Sequence, residues 1–323
     1  MKSKKLKLSF GKSVKQELTK NWQLYLLLII PVAYVIIFSY IPMAGLRVAF
    51  TNHRLAQGLW EAPIHPEGAF HHFRVFWNNP HFWIMFNNTI ILSLYGMIVG
   101  AFMPLALALV VNNLISTKFK KTVQMVTYAP HFISAVVMVG ILTQIFGVRT
   151  GFVNNFLFQA GFDRIDFFAQ PGMFRHMFVW SGVWQSNGFH AVIYIAALAG
   201  IDPQLHEAAV VDGASRLRRI WHIDLPGIIP TFVILLILSV GGILTNGAAR
   251  VILFQNPLNI TTSRVIDTYL FERGLGFGVP GGAGNVPQFA YAAAVGMTQS
   301  VIGLVMVLVV NRISRKLTDT GLW

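Results

Sequence analysis

The most specific arrangement of chemically useful residues is a set of seven at fixed spacing in the second half of the chain. The set consists of Glu207, Ala208, Ala209, Gly213, Ile223, Leu225 and Pro226. The two alanines let a partner backbone approach closely, and the Glu207 carboxylate can form a charge-assisted hydrogen bond or salt bridge at such a contact. The set therefore predicts a contact surface for another protein, and it contains no pairing of a nucleophile with a base.

The residues around Glu207 predict a short helix. Asp202 is a good N-cap, and Pro203 suits the first helical position, where its missing N–H costs nothing. Gly213 can take the left-handed conformation that closes a helix. We therefore expect a helix over 203–212 that lies across one face of the molecule.

A second short helix is expected to follow the first. Ser215 can cap a helix over about 216–224, and Pro226 is expected to open the long apolar segment after it. The alternative is an ordinary amphipathic connector whose basic residues touch lipid phosphates. Those basic residues are Arg216, Arg218 and Arg219.

A second group of candidate residues interrupts the apolar run 174–200. Trp180, Trp184 and Asn187 form one stripe at helical spacing, and His190 lies near the middle of the run. Flat aromatic faces beside hydrogen-bonding groups suit sugar rings, whose faces are apolar and whose edges are polar. The stripe therefore indicates a carbohydrate pathway, and the alternative is that these side chains pack and hydrogen-bond between helices.

Further polar or aromatic candidates for a pathway lie in the neighbouring apolar segments. They are Tyr128, His131, Asn246 and Arg250. Polar groups in the middle of a membrane are costly and often mark a pathway. For these four, packing between helices is the same open alternative.

The composition indicates a membrane protein. The chain of 323 residues is 54% hydrophobic and only 11% charged, whereas a soluble domain has about a quarter charged residues. There is no cysteine, which excludes disulfides and thiolate metal sites. A net charge of +13 would suggest nucleic acid in a soluble protein. Here the basic residues stand between apolar runs, so no nucleic-acid partner is expected.

Six segments are long and apolar enough to cross the roughly 30 Å hydrocarbon core of a membrane. They are 23–42, 84–111, 123–146, 174–200, 227–248 and 289–310. The first is longer than the apolar part of a signal peptide and is followed by Pro42 and Arg47, so we expect it to be retained. The sequence thus predicts an all-α, polytopic membrane protein with six transmembrane helices.

The basic residues predict the orientation of these spans. With six spans both termini lie on one side, and placing that side in the cytoplasm puts 16 of the 25 lysines and arginines there. Cytoplasmic loops carry such an excess, so both termini are expected to be cytoplasmic. The nine outer cations are all arginine, which pairs with carboxylates in bidentate fashion and suggests an acidic substrate. Contact with a docked partner or with lipid headgroups is the alternative.

The chain divides into two parts by composition. Residues 1–21 form a basic cytoplasmic tail, expected to lie near anionic lipid, and 22–323 form the membrane domain with the cytoplasmic loop 201–226. The outer histidines have no recognised metal spacing, so no metal site is predicted. These are His53, His65, His71, His72 and His81.

The seven-residue set resembles the EAA signature of binding-protein-dependent ABC importer permeases at every defined position. Its spacing is Glu-Ala-Ala, three residues, Gly, nine residues, Ile, one residue and then Leu-Pro. The resemblance implies a type I importer permease fold. It also implies that Glu207, Ala208, Ala209 and Gly213 form a coupling helix that docks in a groove of a cytoplasmic ATPase. The chain has no nucleotide motif of its own, so ATP and Mg²⁺ are expected on the partner chains and no cofactor on this one.

The resemblance also implies the partners. They are a second permease subunit, two ATP-binding subunits, an extracytoplasmic solute-binding protein and the lipid of a bacterial cytoplasmic membrane. Asn88-Thr89, the segment 265–269 and the terminal Gly321-Leu322-Trp323 look like the subfamily that imports complex, often acidic, oligosaccharides of the oligogalacturonide, aldouronate or alginate type. An importer for amino acids, phosphate or metals shares the coupling motif and is one alternative, and a polytopic membrane enzyme is another.

Overall fold

The computed structural model describes residues 19–54, 57–276, 288–318 and 320–322. Within these ranges the chain is helical, and strand pairing is limited to one isolated antiparallel bridge between Thr51 and Ile64. Two sequence interpretations lie in part outside the described residues. They concern the basic tail, up to residue 18, and Trp323 of the terminal Gly321-Leu322-Trp323.

Fourteen α-helices are described, and several continue through widened or tightened turns. They are α1 (Trp22–Val35), α2 (His71–Trp77), α3 (Phe82–Asn112), α4 (Thr117–Tyr128), α5 (Ala135–Phe146), α6 (Phe152–Gln159), α7 (Pro171–Ala199), α8 (Pro203–Val211), α9 (Arg216–Arg219), α10 (Leu225–Gly241), α11 (Ala248–Phe254), α12 (Ile260–Ser263), α13 (Ile266–Leu275) and α14 (Phe289–Thr318). Three short segments prolong α1 to Phe50. They are a π turn (Ile36–Tyr40), the short helix Ile41–Met43, which we count with α1, and a 3-10 turn (Ala44–Phe50).

Among the described residues, four helical stretches are long and apolar enough to cross a membrane: Trp22–Phe50, Phe82–Asn112, Arg216–Gly241 and Phe289–Lys316. A fifth is obtained if the bent pair α4–α5 counts as one span. The remaining expected span, 174–200, corresponds to α7, a 29-residue helix whose polar side chains include Arg175, Gln185, Asn187 and His190. The predicted all-α membrane architecture is therefore confirmed, with one broken span and one polar span.

The predicted span 123–146 is not one continuous helix but a bent pair. The chain bends by 104° between α4 with its 3-10 extension and α5. Pro130 lies in the 3-10 turn, and the Ser134 side chain caps α5 by accepting from the Val137 backbone N–H at 3.3 Å. Gln185 of α7 donates to the Ile133 carbonyl at 2.6 Å. A side chain thus replaces the helical hydrogen bond that the bend removes.

The fifth predicted span, 227–248, differs from the structure at both ends. Its helix is continuous from Arg216, through a π turn at Ile220–Asp224, so the expected separate helix over 216–224 is part of the span. The widened turn precedes Pro226, whose ring would clash with a carbonyl four residues earlier in a regular helix. At the outer end the helix stops at Gly241.

The segment after Gly241 is held by the carboxylate of Asp267. That carboxylate accepts from the backbone N–H of Asn246 at 2.6 Å and of Gly247 at 3.0 Å. It also accepts from the side chain of Gln299 in α14 at 2.9 Å. Because Gly247 has a φ of +72°, the chain turns there into α11 rather than continuing α10.

The interior consists of apolar clusters between helices, chiefly α3, α7, α10, α13 and α14. The largest contains Leu92 of α3, Met138 of α5, Phe178 of α7 and Val251 of α11. By contrast, no residue of Trp22–Met43 is buried within the described chain. In a membrane the surface of α1 must therefore meet lipid or another protein.

One close helix contact supplies a test of this packing. A Cβ atom added to Gly188 of α7 would overlap the backbone carbonyl of Thr127 in α4, whereas one added to Gly140 of α5 would meet nothing within 4 Å. Gly188→Ala is expected to lower the free energy of unfolding by about 1–3 kcal/mol, because α7 must move away from the bend. Thermal unfolding of the purified protein in detergent measures the effect.

The matched control for that experiment is Gly140→Ala, which adds the same methyl group to another membrane helix. It is expected to leave the unfolding midpoint unchanged or slightly higher, because alanine favours a helix over glycine. Equal midpoints for the two variants would contradict the described contact.

Candidate functional site

The helix predicted around Glu207 is present as α8, Pro203–Val211. The Asp202 side chain caps it, accepting from the backbone N–H of Gln204 at 3.0 Å, and Pro203 occupies the first position. These are the start signals that the sequence predicted. Their presence fixes where α8 begins and hence how it leaves α7.

Gly213 ends this helix in the manner expected. Its φ is +72°, and its N–H bonds the Val210 carbonyl at 3.0 Å while the Ala214 N–H bonds the Ala209 carbonyl at 2.8 Å. This pair of bonds is the Schellman closure. A Cβ atom at Gly213 would meet nothing within 4 Å, so the left-handed backbone, not space, favours glycine there.

α8 presents an apolar surface that nothing in the described chain covers. It has no buried residue, and Val211 is 87% exposed. Leu205 and Val210 are also more than half exposed, and the Glu207 side chain is exposed beside them. An exposed apolar helix that carries one carboxylate is a surface suited to docking another protein.

The last three residues of the motif belong to the membrane helix. Ile223 lies in the π turn, and Leu225 packs beside the cluster formed by Ala108, Tyr194 and Ile228. Pro226 is exposed at the start of α10. The motif therefore joins an exposed helix at one end to a membrane span at the other.

The aromatic stripe of α7 faces outward from the chain. Trp180 and Trp184 are each 48% exposed, and the carbonyl oxygen of Asn187 is enclosed without a hydrogen bond from any described residue. Tyr95 of α3 extends the stripe: its hydroxyl accepts from the Trp180 indole at 2.7 Å and lies 3.0 Å from Nδ1 of His176.

Sequence reasoning missed His176 and Tyr95. His176 stands four residues before Trp180, so extending the helical periodicity by one turn would have included it. Tyr95 gave no such signal, because it is a single polar tip in an apolar run of another helix. The stripe thus continues across two helices.

His190 and Arg250 line a cavity of about 390 Å³ between α3, α7 and α10, and the stripe residues Trp180, Trp184 and Asn187 do not line it. The Arg250 guanidinium lies 4.2 Å from the centre of the Phe178 ring, and it donates to the Phe178 carbonyl and, at 2.9 Å, to Ser181 Oγ. A Cβ atom at Gly182 would overlap the guanidinium, so glycine makes room for it. The cavity and the stripe are therefore separate surfaces.

The remaining pathway candidates make contacts elsewhere. Tyr128 borders a shallow groove along α4, and the ring of His131 stacks on Phe189 with centroids 4.0 Å apart. Asn246 accepts from the hydroxyl of Ser93 at 3.0 Å. The structure thus does not bring these three to the cavity or to the stripe.

Three of the outer histidines meet in the structure. The rings of His65 and His71 stack 3.8 Å apart, and His72 stands edge-on to both. Burial lowers the pKa of His72, the Thr51 carbonyl bonded to it opposes that shift, and the two neighbouring imidazoles add to it. No cluster that could hold a metal ion is found within the described ranges.

The sequence and fold resemble known transport proteins. A family model described as a binding-protein-dependent transport system inner membrane component matches residues 96–319. Protein LplB of Bacillus subtilis (strain 168) is 34% identical over 306 residues, covering 95% of this chain and 92% of LplB. The polygalacturonan/rhamnogalacturonan transport system permease protein YteP of the same organism is 34% identical over 307 residues, with the same coverage of each chain.

Solved structures agree with the sequence relatives. A chain in the crystal structure of a bacterial alginate ABC transporter, in complex with an alginate pentasaccharide-bound periplasmic protein, superposes with a TM-score of 0.82. It is 35% identical, and the match covers 95% of this chain and 99% of that one. The expected type I permease fold is thereby confirmed. The chain belongs to the family of binding-protein-dependent transport system inner membrane components, and it is a transport subunit rather than an enzyme.

Proposed function

We propose that this permease forms the translocation pathway of an ATP-driven importer for oligosaccharides in a bacterial cytoplasmic membrane. The names of its relatives support the substrate class, since one is a polygalacturonan/rhamnogalacturonan permease and a structural neighbour belongs to an alginate transporter. Both matches extend over nearly the whole of each chain. The lysine and arginine bias supports cytoplasmic termini, with 1–21 as a basic tail and 22–323 as the permease domain.

The single observation that carries the coupling role is the exposed, sharply bounded helix α8. Capped by Asp202 and closed at Gly213, it is a rigid rod that buries nothing of its own. In the proposed function, it docks in a groove of a cytoplasmic ATPase, with Glu207 at the contact and Ala208 and Ala209 admitting the partner backbone. ATP and Mg²⁺ bind to the ATPase chains and not to this one.

A second permease subunit is supported by surfaces that this chain leaves open. The stripe of α7 carries indole, imidazole and amide groups on an outward face, and such groups are costly in contact with lipid. A partner subunit across a water-filled path would receive them instead. Aromatic faces with hydrogen-bonding edges then form one wall of a sugar pathway between the two subunits.

The proposed cycle transmits force from the ATPases to this pathway. ATP binding closes two ATPase subunits and moves α8 with them, which opens the pathway toward an external solute-binding protein. Hydrolysis returns the pathway to an inward-open state. The energy source and the moving gate thus lie on different chains.

The acidic substrate class is supported by the relatives more than by the outer arginines. Six of the nine outer arginines donate hydrogen bonds within the chain: Arg47, Arg74, Arg164, Arg175, Arg250 and Arg264. Arg273 stands over the ring of Tyr269. Most of the arginine excess is therefore engaged in the fold, while the relatives' names point to uronate-containing polymers.

The coupling role predicts the effect of reversing one charge. Glu207→Lys is expected to abolish ATP-driven uptake and the stimulation of ATP hydrolysis by the binding protein, because a cation replaces the carboxylate at the contact. Membrane insertion should be unchanged, since Glu207 is exposed and bonds to no described residue. The assay uses the assembled complex in proteoliposomes.

The matched control is Thr122→Lys, which adds a cation to an exposed position of α4 outside the 201–226 loop. It is expected to leave uptake and ATP hydrolysis as in the wild type. Normal coupled uptake by the Glu207→Lys complex would remove the coupling role from α8.

The substrate class predicts a preference between two sugars of equal length. Uptake of trigalacturonate should exceed uptake of the neutral galactotriose, because the uronate carboxylates are the feature that separates them. The measurement is ATP-dependent accumulation in proteoliposomes that contain the binding protein. Preference for the neutral sugar would contradict the acidic substrate and leave the oligosaccharide class intact.

A further inference from the structure

A buried carboxylate lies where α8, α3 and the fifth span meet. Asp224 ends the π turn that leads into α10, and it is 1% exposed. It stands at the one unspecified position between Ile223 and Leu225, so the motif assigns it no role. A buried ionised group needs partners, and those of Asp224 come from two other elements.

The first partner is the end of the second span. Asn113, the C-cap of α3, donates from Nδ2 to Asp224 Oδ2 at 3.4 Å and to the Leu109 carbonyl at 3.0 Å. The amide thus ties the carboxylate to the last turn of α3. The two residues are 111 positions apart, so the contact joins distant parts of the chain.

The second partner comes from the coupling helix. His206 Nε2 of α8 lies 3.3 Å from Asp224 Oδ1. Even so, Oδ1 is enclosed and has no hydrogen bond from any described residue. The imidazole is therefore within ion-pairing distance, but it is not aligned to donate.

This contact is also the side-chain link between α8 and the membrane helices. Within the described part of the chain, no other hydrogen bond or ion pair from an α8 side chain reaches another helix. The backbone connections at the two ends of α8 complete its attachment. We name His206, Asp224 and Asn113 together the Asp224 junction.

We propose that the Asp224 junction is the positioning element that transmits movement of α8 to the second and fifth spans. This inference rests on the proposed coupling function and adds the residues inside the chain that carry the motion onward. A shift of α8 that aligns the imidazole N–H with Oδ1 completes the bonding of a buried carboxylate. A shift that separates them leaves that charge without its cation.

The consequence is that the position of α8 and the arrangement of two membrane helices are energetically linked. Asp224 moves with α10, and Asn113 moves with α3, so each position of α8 favours one arrangement of both. In its protonated form the imidazole donates from Nε2 and carries the positive charge that pairs with the carboxylate. The junction therefore needs a cation at 206 and a carboxylate at 224, and an uncharged Gln or Asn side chain at these positions removes the ion pair.

The test uses the complete importer in proteoliposomes, that is, this chain with its partner permease, ATPases and binding protein. The quantity is the amount of radiolabelled trigalacturonate imported per ATP hydrolysed. His206→Gln and Asp224→Asn are each expected to lower that ratio about fivefold or more while ATP hydrolysis continues. The double variant should be no worse than either single one, because both remove the same contact.

Two matched controls separate the junction from general effects. His222→Gln alters a histidine of the same π turn that bonds only to the Arg218 carbonyl, and Asp163→Asn alters an exposed outer carboxylate. Both should keep the wild-type ratio. A merely structural role for Asp224 would reduce the yield of complex or its unfolding temperature and leave sugar per ATP unchanged.

A second measurement needs no knowledge of the sugar. The chain has no cysteine, so Val211→Cys on α8 and Val110→Cys at the end of α3 provide two unique spin-label sites within this subunit. The distance distribution between them should be narrow without nucleotide and with ATP plus vanadate. In the His206→Gln background it should broaden in both states, because the helices are no longer joined.

The outcomes separate the two proposals. The proposed role of the Asp224 junction would be ruled out if the His206→Gln complex kept the wild-type ratio of sugar to ATP and a narrow distance distribution. This conclusion holds whether or not the Asp224→Asn complex assembles. If Glu207→Lys still abolishes uptake in that preparation, the coupling role of α8 survives and only the junction fails. Normal uptake by Glu207→Lys would instead show that the proposed function itself is at fault.

Discussion

The structure depends on satisfying backbone hydrogen bonds where its membrane helices break. Hydrocarbon offers no water to an exposed carbonyl or N–H, so an irregular segment persists only if side chains bond to it. Gln185 does this for the bend between α4 and α5, and Gln299 donates to the Leu244 carbonyl beyond α10. Asp267 accepts two backbone N–H groups from the same segment. These polar residues allow broken helices in an apolar protein, and one of the breaks produces its bent span.

The same constraint explains why the two ends of the molecule behave differently. At the end of α3 away from α8, Asn88 donates to the Thr261 carbonyl and accepts from Arg175 of α7. At the other end, α8 is closed by its own caps and has no buried residue, so its surface is free to receive a partner. A bonded frame at one end and an exposed helix at the other suit a subunit that receives its energy from another chain. The proposed function thus depends on which backbone groups form hydrogen bonds within the chain.

Local signals in the sequence predicted α8 well, because a cap residue, a proline and a left-handed glycine act within a few positions of one another. The bend at Pro130 had a local cause too, yet hydropathy alone concealed it. The stripe and the cavity lie on different faces of α7, and their positions depend on how α3 and α11 pack, which no periodicity in one helix reveals. The contact of Asp224 with Asn113 joins residues far apart in sequence, and it had no signal beyond an acid beside an apolar run.

In the proposed importer, α8 lies in the cytoplasm against an ATPase. Val211 is its most exposed residue, and a benzophenone attached to Val211→Cys would be the only such probe on this cysteine-free chain. Irradiation of the assembled complex should yield an adduct with an ATP-binding subunit, whereas the same probe at the exposed outer residue Leu258 should not. An adduct between position 211 and the external binding protein, or no adduct with the ATPase in a complex that hydrolyses ATP, would contradict the account.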